Sequence, residues 1–195
     1  MAFSADWFSN NIPVWERLFA PLRGQPNLQI LEIGSFEGRS ACWLLEYILT
    51  GEGASLDCVD TFMGSMETAA SGIDTAGLLE CFKENTRPWE ARVTAHIGLS
   101  EAVLPALDKL FDVIYIDGSH TAKDTLTDAV MAWRLLKVGG LMIFDDYEWK
   151  LYAEEELNPK LGIDTFLNSY IGWFSPIHVG YQVAIRKGGS YITPH

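Results

Sequence analysis

Short apolar runs alternate with longer stretches of helical periodicity along most of this chain. An apolar run bounded by turn residues is typical of a buried strand, and apolar residues three and four positions apart are typical of a helix that buries one face. The predicted strands cover residues 28–33, 56–60, 92–97, 113–116, 141–144, 177–179 and 182–185. The alternation predicts an α/β fold: a mostly parallel seven-stranded sheet with helices on both faces and a closing antiparallel hairpin.

The helical stretches connect these runs. The expected helices cover residues 40–45, 76–84, 100–107, 122–136 and 161–171. Residues 61–75 lack a clear period, so we expect a loop there. Residues 137–140 contain two glycines and are expected to end the preceding helix, because glycine commonly terminates helices. Parallel sheets of this kind bind ligands at the carboxyl ends of their strands, so the residues after each strand are the candidates for chemistry.

Residues 1–27 precede the first strand and carry aromatic residues at roughly helical spacing. Pro13 interrupts that spacing, which predicts two short amphipathic pieces. We expect this helical cap segment to pack over the edge of the core. A substrate lid and a subunit contact are the alternatives, because exposed aromatic faces tend to be used, and a homo-oligomer is compatible with the second. The predicted organisation is a cap over 1–27, an α/β domain over 28–187 and a tail over 188–195.

Composition and charge narrow the choice of partners. A net charge of -12 and an isoelectric point near 4.6 argue against a nucleic-acid partner, because phosphate binding needs a basic surface. Every apolar run falls short of the ~20 residues that span a bilayer, and residues 1–20 carry charged side chains in place of a signal sequence. Cys42 and Cys58 lie in apolar runs and are expected in the core. We therefore expect a cytoplasmic protein with no membrane partner.

A glycine turn follows the first strand. The pattern Glu32-x-Gly34-x-x-x-Gly38 joins that strand to a helix that includes Ser40. The N–H groups at the start of a helix attract anionic ligand groups, and glycine lets the backbone approach with no Cβ in the way. Asp60 ends the second strand twenty-two positions after Gly38, close to the ~20-residue offset at which an acidic residue meets a ribose diol. This arrangement predicts a nucleoside site.

Carboxylates follow the fourth and fifth strands. Asp117 ends one strand, and Asp145 and Asp146 end the other. If these strands are neighbours, about 4.8 Å apart, their carboxylates converge and need a cation or raised pKa values. An all-oxygen set suits Mg²⁺, although an aspartate after a strand also caps helices and turns. His120 lies three residues after Asp117, where it is either a proton acceptor beside a metal or an ordinary loop or cap residue.

The segments LEIGSFEGRS, GLSE, IDGSH and GGLMIFDDY occur in this order, with Asp60 between the first and the second. The ordered set resembles the class I S-adenosylmethionine-dependent methyltransferases, over residues 28–148. The closer resemblance is to the metal-dependent small-molecule O-methyltransferases, including the catechol and macrolide-sugar types. His120 stands where relatives carry lysine or histidine, which matches the macrolide-sugar type better. The resemblance implies a Rossmann-like class I methyltransferase fold for residues 28–187.

The resemblance also implies roles for single residues. Those expected to surround S-adenosylmethionine are Glu32, Gly34, Ser35, Phe36, Gly38, Ser40, Asp60, Thr61, Ser100 and Asp117. Of these, Ser40 would bond the carboxylate of the cofactor, Asp60 the ribose hydroxyls, and Ser100 would lie by the adenine. The divalent metal, expected to be Mg²⁺, would be held by Asp117, Asp145 and Asp146. His120 and Asp117 would be the catalytic residues, with His120 removing the acceptor proton.

The implied reaction is methyl transfer from the cofactor to the hydroxyl of a small molecule, with the metal lowering the pKa of that hydroxyl. Phe62, Tyr147 and Trp149 are candidates for apolar walls that exclude water. The resemblance does not identify the molecule that accepts the methyl group. The alternatives are a non-catalytic S-adenosylmethionine-binding or scaffold protein and a nicotinamide-dependent oxidoreductase. The second is disfavoured, because its Gly-x-Gly-x-x-Gly pattern is missing after the first strand.

Overall fold

The computed structural model describes residues 1–150, 152–154 and 157–189, with residues 66 and 67 described by their backbone alone. Seven strands belong to one mixed sheet: β1 (Gln29–Ile33), β2 (Ser55–Asp60), β3 (Val93–Ile97), β4 (Phe111–Ile116), β5 (Leu136–Phe144), β6 (Phe174–Val179) and β7 (Val183–Lys187). The helices are α1 (Ile12–Phe19), α2 (Arg39–Tyr47), α3 (Met66–Ala70), α4 (Leu78–Thr86), α5 (Ser100–Val103), α6 (Ala122–Trp133) and α7 (Pro159–Ser169). The predicted α/β class is confirmed; the predicted tail lies mostly outside the described residues.

The chain divides into two compact units, Met1–Leu99 and Ser100–His195. In the first unit β2 pairs in parallel with both β1 and β3. Strands β1 and β2 are buried along most of their length, as expected for strands of a parallel sheet with both faces covered. Cys42 and Cys58 are buried, which confirms their predicted place in the core. Among the described residues, each helix is too short or too polar to cross a membrane.

A 3₁₀ turn, Ser9–Asn11, precedes helix α1, so the prediction of two short helical pieces is confirmed, although the break lies before Ile12 and α1 itself includes Pro13. Pro13 lies in the first turn of the helix, where a missing N–H leaves no helical hydrogen bond unmade. Trp15 and Phe19 of this helix are completely buried. Their rings lie 5.6 and 6.1 Å from the ring of Trp43 on α2. Trp15 and Phe19 thus pack against α2, as expected of a segment that packs over the edge of the core. The extent of the cap and the lid and subunit-contact alternatives stay untested.

Residues 2–7, here called the N-terminal strap, lie against the glycine turn. The backbone N–H of Ser4 donates to Glu37 Oε2 at 2.6 Å. The ring centroids of Trp7 and Phe36 are 5.3 Å apart. The strap therefore contacts the turn that the sequence assigns to a ligand.

In the second unit β4 pairs in parallel with β5, and β7 pairs antiparallel with both β5 and β6. The closing hairpin is therefore confirmed. The predicted helix over 122–136 ends earlier, at Trp133, and residues 137–140 belong to β5. Phe111 pairs with Leu136 while Val113 pairs with Leu141, so the residues between them form an irregular, bulged stretch of β5. The glycines expected to end a helix serve this bulge instead.

Two further predictions need correction. The expected loop over 61–75 contains the short helix α3. The expected helix over 100–107 is only the four-residue α5, followed by a 3₁₀ turn, Leu104–Ala106. Pro105 lies at the start of that turn, and without an N–H it cannot continue an α-helical hydrogen-bond series.

Candidate functional site

The glycine turn of the first unit joins β1 to α2. The N–H of Gly34 donates to the carbonyl of Val59, the residue before the end of β2, at 2.9 Å. Gly38 has φ +82°, a left-handed conformation that favours glycine. A Cβ on Gly38 would lie 2.9 Å from the ring of Phe82. Both the backbone conformation and the space thus require glycine at position 38.

Replacing Gly38 with alanine is expected to destabilise the protein by about 2–5 kcal/mol, because a left-handed residue costs about 1–2 kcal/mol and overpacking adds about 1–3 kcal/mol. The matched control is Gly77→Ala. Gly77, with φ +78°, also directly precedes a helix. A Cβ on Gly77 would meet nothing within 4 Å among the described residues. Urea unfolding of both variants measures the difference. Equal losses of stability would contradict the proposed clash with Phe82.

Asp60 holds the glycine turn from the end of β2. Its Oδ2 accepts the backbone N–H groups of Ser35 at 2.7 Å and Phe36 at 2.9 Å. The hydroxyl of the adjacent Thr61 accepts the N–H of Met63 at 3.3 Å. The Oδ1 of Asp60 accepts the N–H of Phe62 at 2.7 Å. A carboxylate has about four lone-pair positions, so its three bonds to N–H groups leave Asp60 about one position for a ligand. The ribose role of Asp60 and the cofactor role of Thr61 stay predictions.

Glu32 lies beneath the turn and is completely buried. The hydroxyls of Ser35 and Ser40 donate to its two carboxylate oxygens at 2.7 and 2.5 Å. The thiol of Cys58 also donates to it, at 3.5 Å. Burial raises the pKa of Glu32 to about 7, although these hydrogen bonds oppose the shift. Glu32 therefore connects β1, the turn and α2, and the hydroxyl that the resemblance assigns to the cofactor carboxylate here bonds Glu32.

The second unit contains the predicted acidic cluster. Strands β4 and β5 are neighbours, and Ile116 pairs with Phe144, so the residues after them converge as predicted. Ligand atoms of Asp117, His120 and Asp146 all lie within 4.8 Å of one another. His120 Nε2 lies 2.8 Å from Asp146 Oδ2 and 3.9 Å from Asp117 Oδ1. This group can hold a divalent cation.

Asp145 has different surroundings from the other two aspartates. Its Oδ1 accepts the N–H of Asp146 at 2.8 Å, and its Oδ2 accepts Gln182 Nε2 at 2.9 Å. The hydroxyl of Tyr115 also bonds Asp145 Oδ2 and lies 2.8 Å from Asp117 Oδ2. The structure thus groups Asp117 and Asp146 with His120, and it bonds Asp145 to Tyr115, Gln182 and the backbone of Asp146.

The acidic cluster places several carboxylates close together in a buried site. Burial, reinforced by the charge of Asp145, raises the pKa of Asp117 well above its usual range. Burial and the charge of Asp146 likewise raise the pKa of Asp145. Burial alone would lower the pKa of His120, but its bonds to Asp117 and Asp146 outweigh burial and raise it to about 11. The carboxylates of Asp117 and Asp146 thus favour the charged form of the imidazole.

The remaining predicted residues lie in separate places. Ser100 begins α5, and its hydroxyl bonds the carboxylate of Asp128 on α6. Burial raises the pKa of Asp128 to about 6. The indole of Trp149 packs on the imidazole of His120 with ring centroids 4.7 Å apart. Tyr147 donates its hydroxyl to Asp164 at 2.8 Å. The adenine role of Ser100 and the wall roles of the two aromatic residues stay predictions.

Sequence reasoning missed three polar partners of the cluster: Tyr115, Tyr181 and Gln182. Tyr181 donates its hydroxyl to Asp146 Oδ1 at 2.7 Å. The proximity of Tyr115 to Asp117 could have been predicted from the sequence, because a residue two positions earlier on a strand points to the same side. No sequence pattern predicts the contacts of Gln182 and Tyr181, since these residues are separated by more than thirty positions from the aspartates that they bond.

Comparisons with known proteins identify the family and the fold of this chain. The family described as "Methyltransferase domain" matches residues 31–147, more than half of the chain. An uncharacterized protein of Acanthamoeba polyphaga mimivirus, R132, is 27% identical over 132 residues, which are 63% of this chain and 52% of that protein. The chain thus spans about half the length of this curated relative.

Two solved structures share the fold. An O-methyltransferase from Bacillus cereus in complex with SAH has a TM-score of 0.67 at 20% identity, covering 95% of this chain and 84% of that one. MycE methyltransferase from the mycinamycin biosynthetic pathway, in complex with Mg, SAH and mycinamycin VI, has a TM-score of 0.65 at 19% identity, covering 97% and 53%. At such identities these structures show the fold alone. The family match, over residues 31–147, includes every residue predicted to bind the cofactor or the metal. The chain belongs to the methyltransferase-domain family.

Proposed function

We propose that this protein is an S-adenosylmethionine-dependent methyltransferase that O-methylates a small-molecule hydroxyl with the assistance of a divalent metal ion, expected to be Mg²⁺. Family membership supports methyl transfer. The observation that carries the metal-assisted part is the convergence of the Asp117 and Asp146 carboxylates beside His120, with one atom of each residue within 4.8 Å of the others. The net charge of -12 supports a small acceptor in place of a nucleic acid. The proposed location is the cytoplasm.

The residues of the cluster fit a divalent metal. Asp117 and Asp146 offer carboxylate oxygens, which hard cations prefer. Burial and mutual repulsion raise the pKa of Asp117, so a cation would relieve an unfavourable arrangement that the protein maintains. A metal held here would supply Lewis-acid activation of the acceptor hydroxyl.

The chain's own residues have distinct parts in the proposed reaction. S-adenosylmethionine supplies an electrophilic methyl group on its sulfonium, and the turn over 34–38 with Asp60 would bind its nucleoside and amino-acid portions. His120 would take the acceptor proton once the charges of Asp117 and Asp146, which keep it protonated, are neutralised. Trp149, packed on His120, would exclude water from that transfer.

The two alternatives predict different ligands. A nicotinamide-dependent oxidoreductase is disfavoured by the family match, and it would bind NADH. A non-catalytic scaffold would bind S-adenosylhomocysteine and transfer no methyl group. Binding and turnover therefore have to be measured separately.

Calorimetric titration of S-adenosylhomocysteine into metal-stripped protein, repeated with Mg²⁺ present, tests the proposal. We expect saturable binding in both titrations, a separately measurable Mg²⁺ site, and no binding of NADH. If the protein binds S-adenosylhomocysteine but has no Mg²⁺ site, Asp117, Asp145 and Asp146 have structural roles and the metal-assisted part of the proposal is wrong. Absence of S-adenosylhomocysteine binding in both titrations would refute the proposed function.

A further inference from the structure

Asp145 is bonded on both carboxylate oxygens by three parts of the second unit. Its Oδ1 accepts the N–H of Asp146, and its Oδ2 bonds the side chains of Gln182, just before β7, and Tyr115 on β4. The side chain is only 7% exposed. A carboxylate whose oxygens already accept these hydrogen bonds has fewer lone pairs left for a cation.

The bonds of Asp145 lead directly to the two other aspartates. The Tyr115 hydroxyl that bonds Asp145 also lies 2.8 Å from Asp117 Oδ2. On the other side, Asp146 has φ +58°, a left-handed conformation that residues other than glycine rarely adopt. The N–H that Asp145 accepts, at 2.8 Å, belongs to this same residue. Asp145 therefore stabilises a strained backbone whose side chain reaches His120 at 2.8 Å.

We propose that Asp145 is a positioning residue and not a metal ligand: it orients Asp117 through Tyr115 and Asp146 through the backbone, and these two carboxylates hold the cation. This inference rests on the proposed metal-assisted function. Partners that orient metal ligands typically change metal affinity 10–100-fold when they are removed. Gln182 extends the same network, because it touches Asp145 and fixes the orientation of its carboxylate.

Binding of Mn²⁺, followed by electron paramagnetic resonance of the free ion, tests this assignment without any acceptor. We expect Asp145→Asn and Tyr115→Phe each to weaken Mn²⁺ binding about 10–100-fold while one site remains. Asp117→Asn is expected to abolish saturable binding. The double variant Asp145→Asn/Tyr115→Phe should lose less affinity than the product of the single losses, because both changes act on the same bond.

Gln182→Met is the milder variant, in case Asp145→Asn fails to fold. It removes one donor to Asp145, and we expect a smaller but measurable weakening of Mn²⁺ binding, with circular dichroism confirming the fold. The inference is wrong if Asp145→Asn abolishes the site as Asp117→Asn does, while Tyr115→Phe and Gln182→Met bind Mn²⁺ like the wild type. A wild-type protein that binds no Mn²⁺ would instead refute the metal part of the proposed function, and the inference with it.

Discussion

Replacing Asp117 with asparagine is expected to lower the rate of methyl transfer by about 100- to 1000-fold, the range found when a preorganised electrostatic group is removed from an active site. Asparagine keeps the size of the side chain but removes the charge that would hold the cation beside His120. Affinity for S-adenosylhomocysteine should change much less, since the glycine turn carries the proposed cofactor contacts. Transfer of a labelled methyl group to an acceptor found by screening measures the first effect, and calorimetry measures the second.

Asp112→Asn is the matched control for this variant. Asp112 lies on the same strand, β4, and its carboxylate bonds Lys137 at 2.9 Å, away from His120. We expect it to leave methyl transfer close to the wild-type rate. If Asp117→Asn transferred methyl groups as fast as Asp112→Asn, the metal-assisted mechanism would be refuted.

The free energy of unfolding of the ligand-free protein is expected to fall by about 3 kcal/mol as the pH rises from about 4.5 to 7, because of the ionisation of Glu32. The ordinary pKa of this group is 4.5, and burial raises it to about 7 in the folded protein. Below pH 4.5 the carboxyl is protonated in both states. Between these values the unfolded chain releases its proton first, so rising pH favours unfolding. Above pH 7 this contribution changes no further.

Glu32→Gln isolates this effect, because glutamine stays neutral at every pH and keeps the shape of the side chain. Buried Asp117, Asp128 and Asp145 have pKa shifts in the same direction and add to the pH dependence of both proteins. The difference between the two urea-unfolding profiles therefore reports Glu32 alone. Parallel profiles between pH 4.5 and 7.5 would show that Glu32 is not protonated in the fold.

The architecture could be predicted because strands buried on both faces appear as continuous apolar runs, as in β4. The start of β5 could not be predicted from the sequence. Residues 137–140 carry glycines that fit a helix end as well as a bulge, and only the pairing of Phe111 with Leu136 distinguishes the two. The exact place of the break near Pro13 could not be predicted either, because the apolar spacing does not specify which turn of a helix contains the proline.

The candidate site was predictable as far as strand ends determine it. Asp117 and Asp146 follow adjacent strands, and His120 follows Asp117 by three positions, so their convergence could be inferred. The separate surroundings of Asp145 could not be inferred. They depend on the left-handed backbone at Asp146 and on the distant Gln182, neither of which leaves a local pattern.

The N-terminal cap has a practical consequence for handling the protein. A chain shortened to start at the predicted domain boundary, residue 28, would lose Trp15 and Phe19 and expose the indole of Trp43. It would also lose the strap bond to Glu37 and the partner of the Phe36 ring. Freshly exposed aromatic surface of this kind promotes aggregation. The cap therefore acts as a solubility determinant of the first unit, and a shortened chain would be a poor substitute in binding studies.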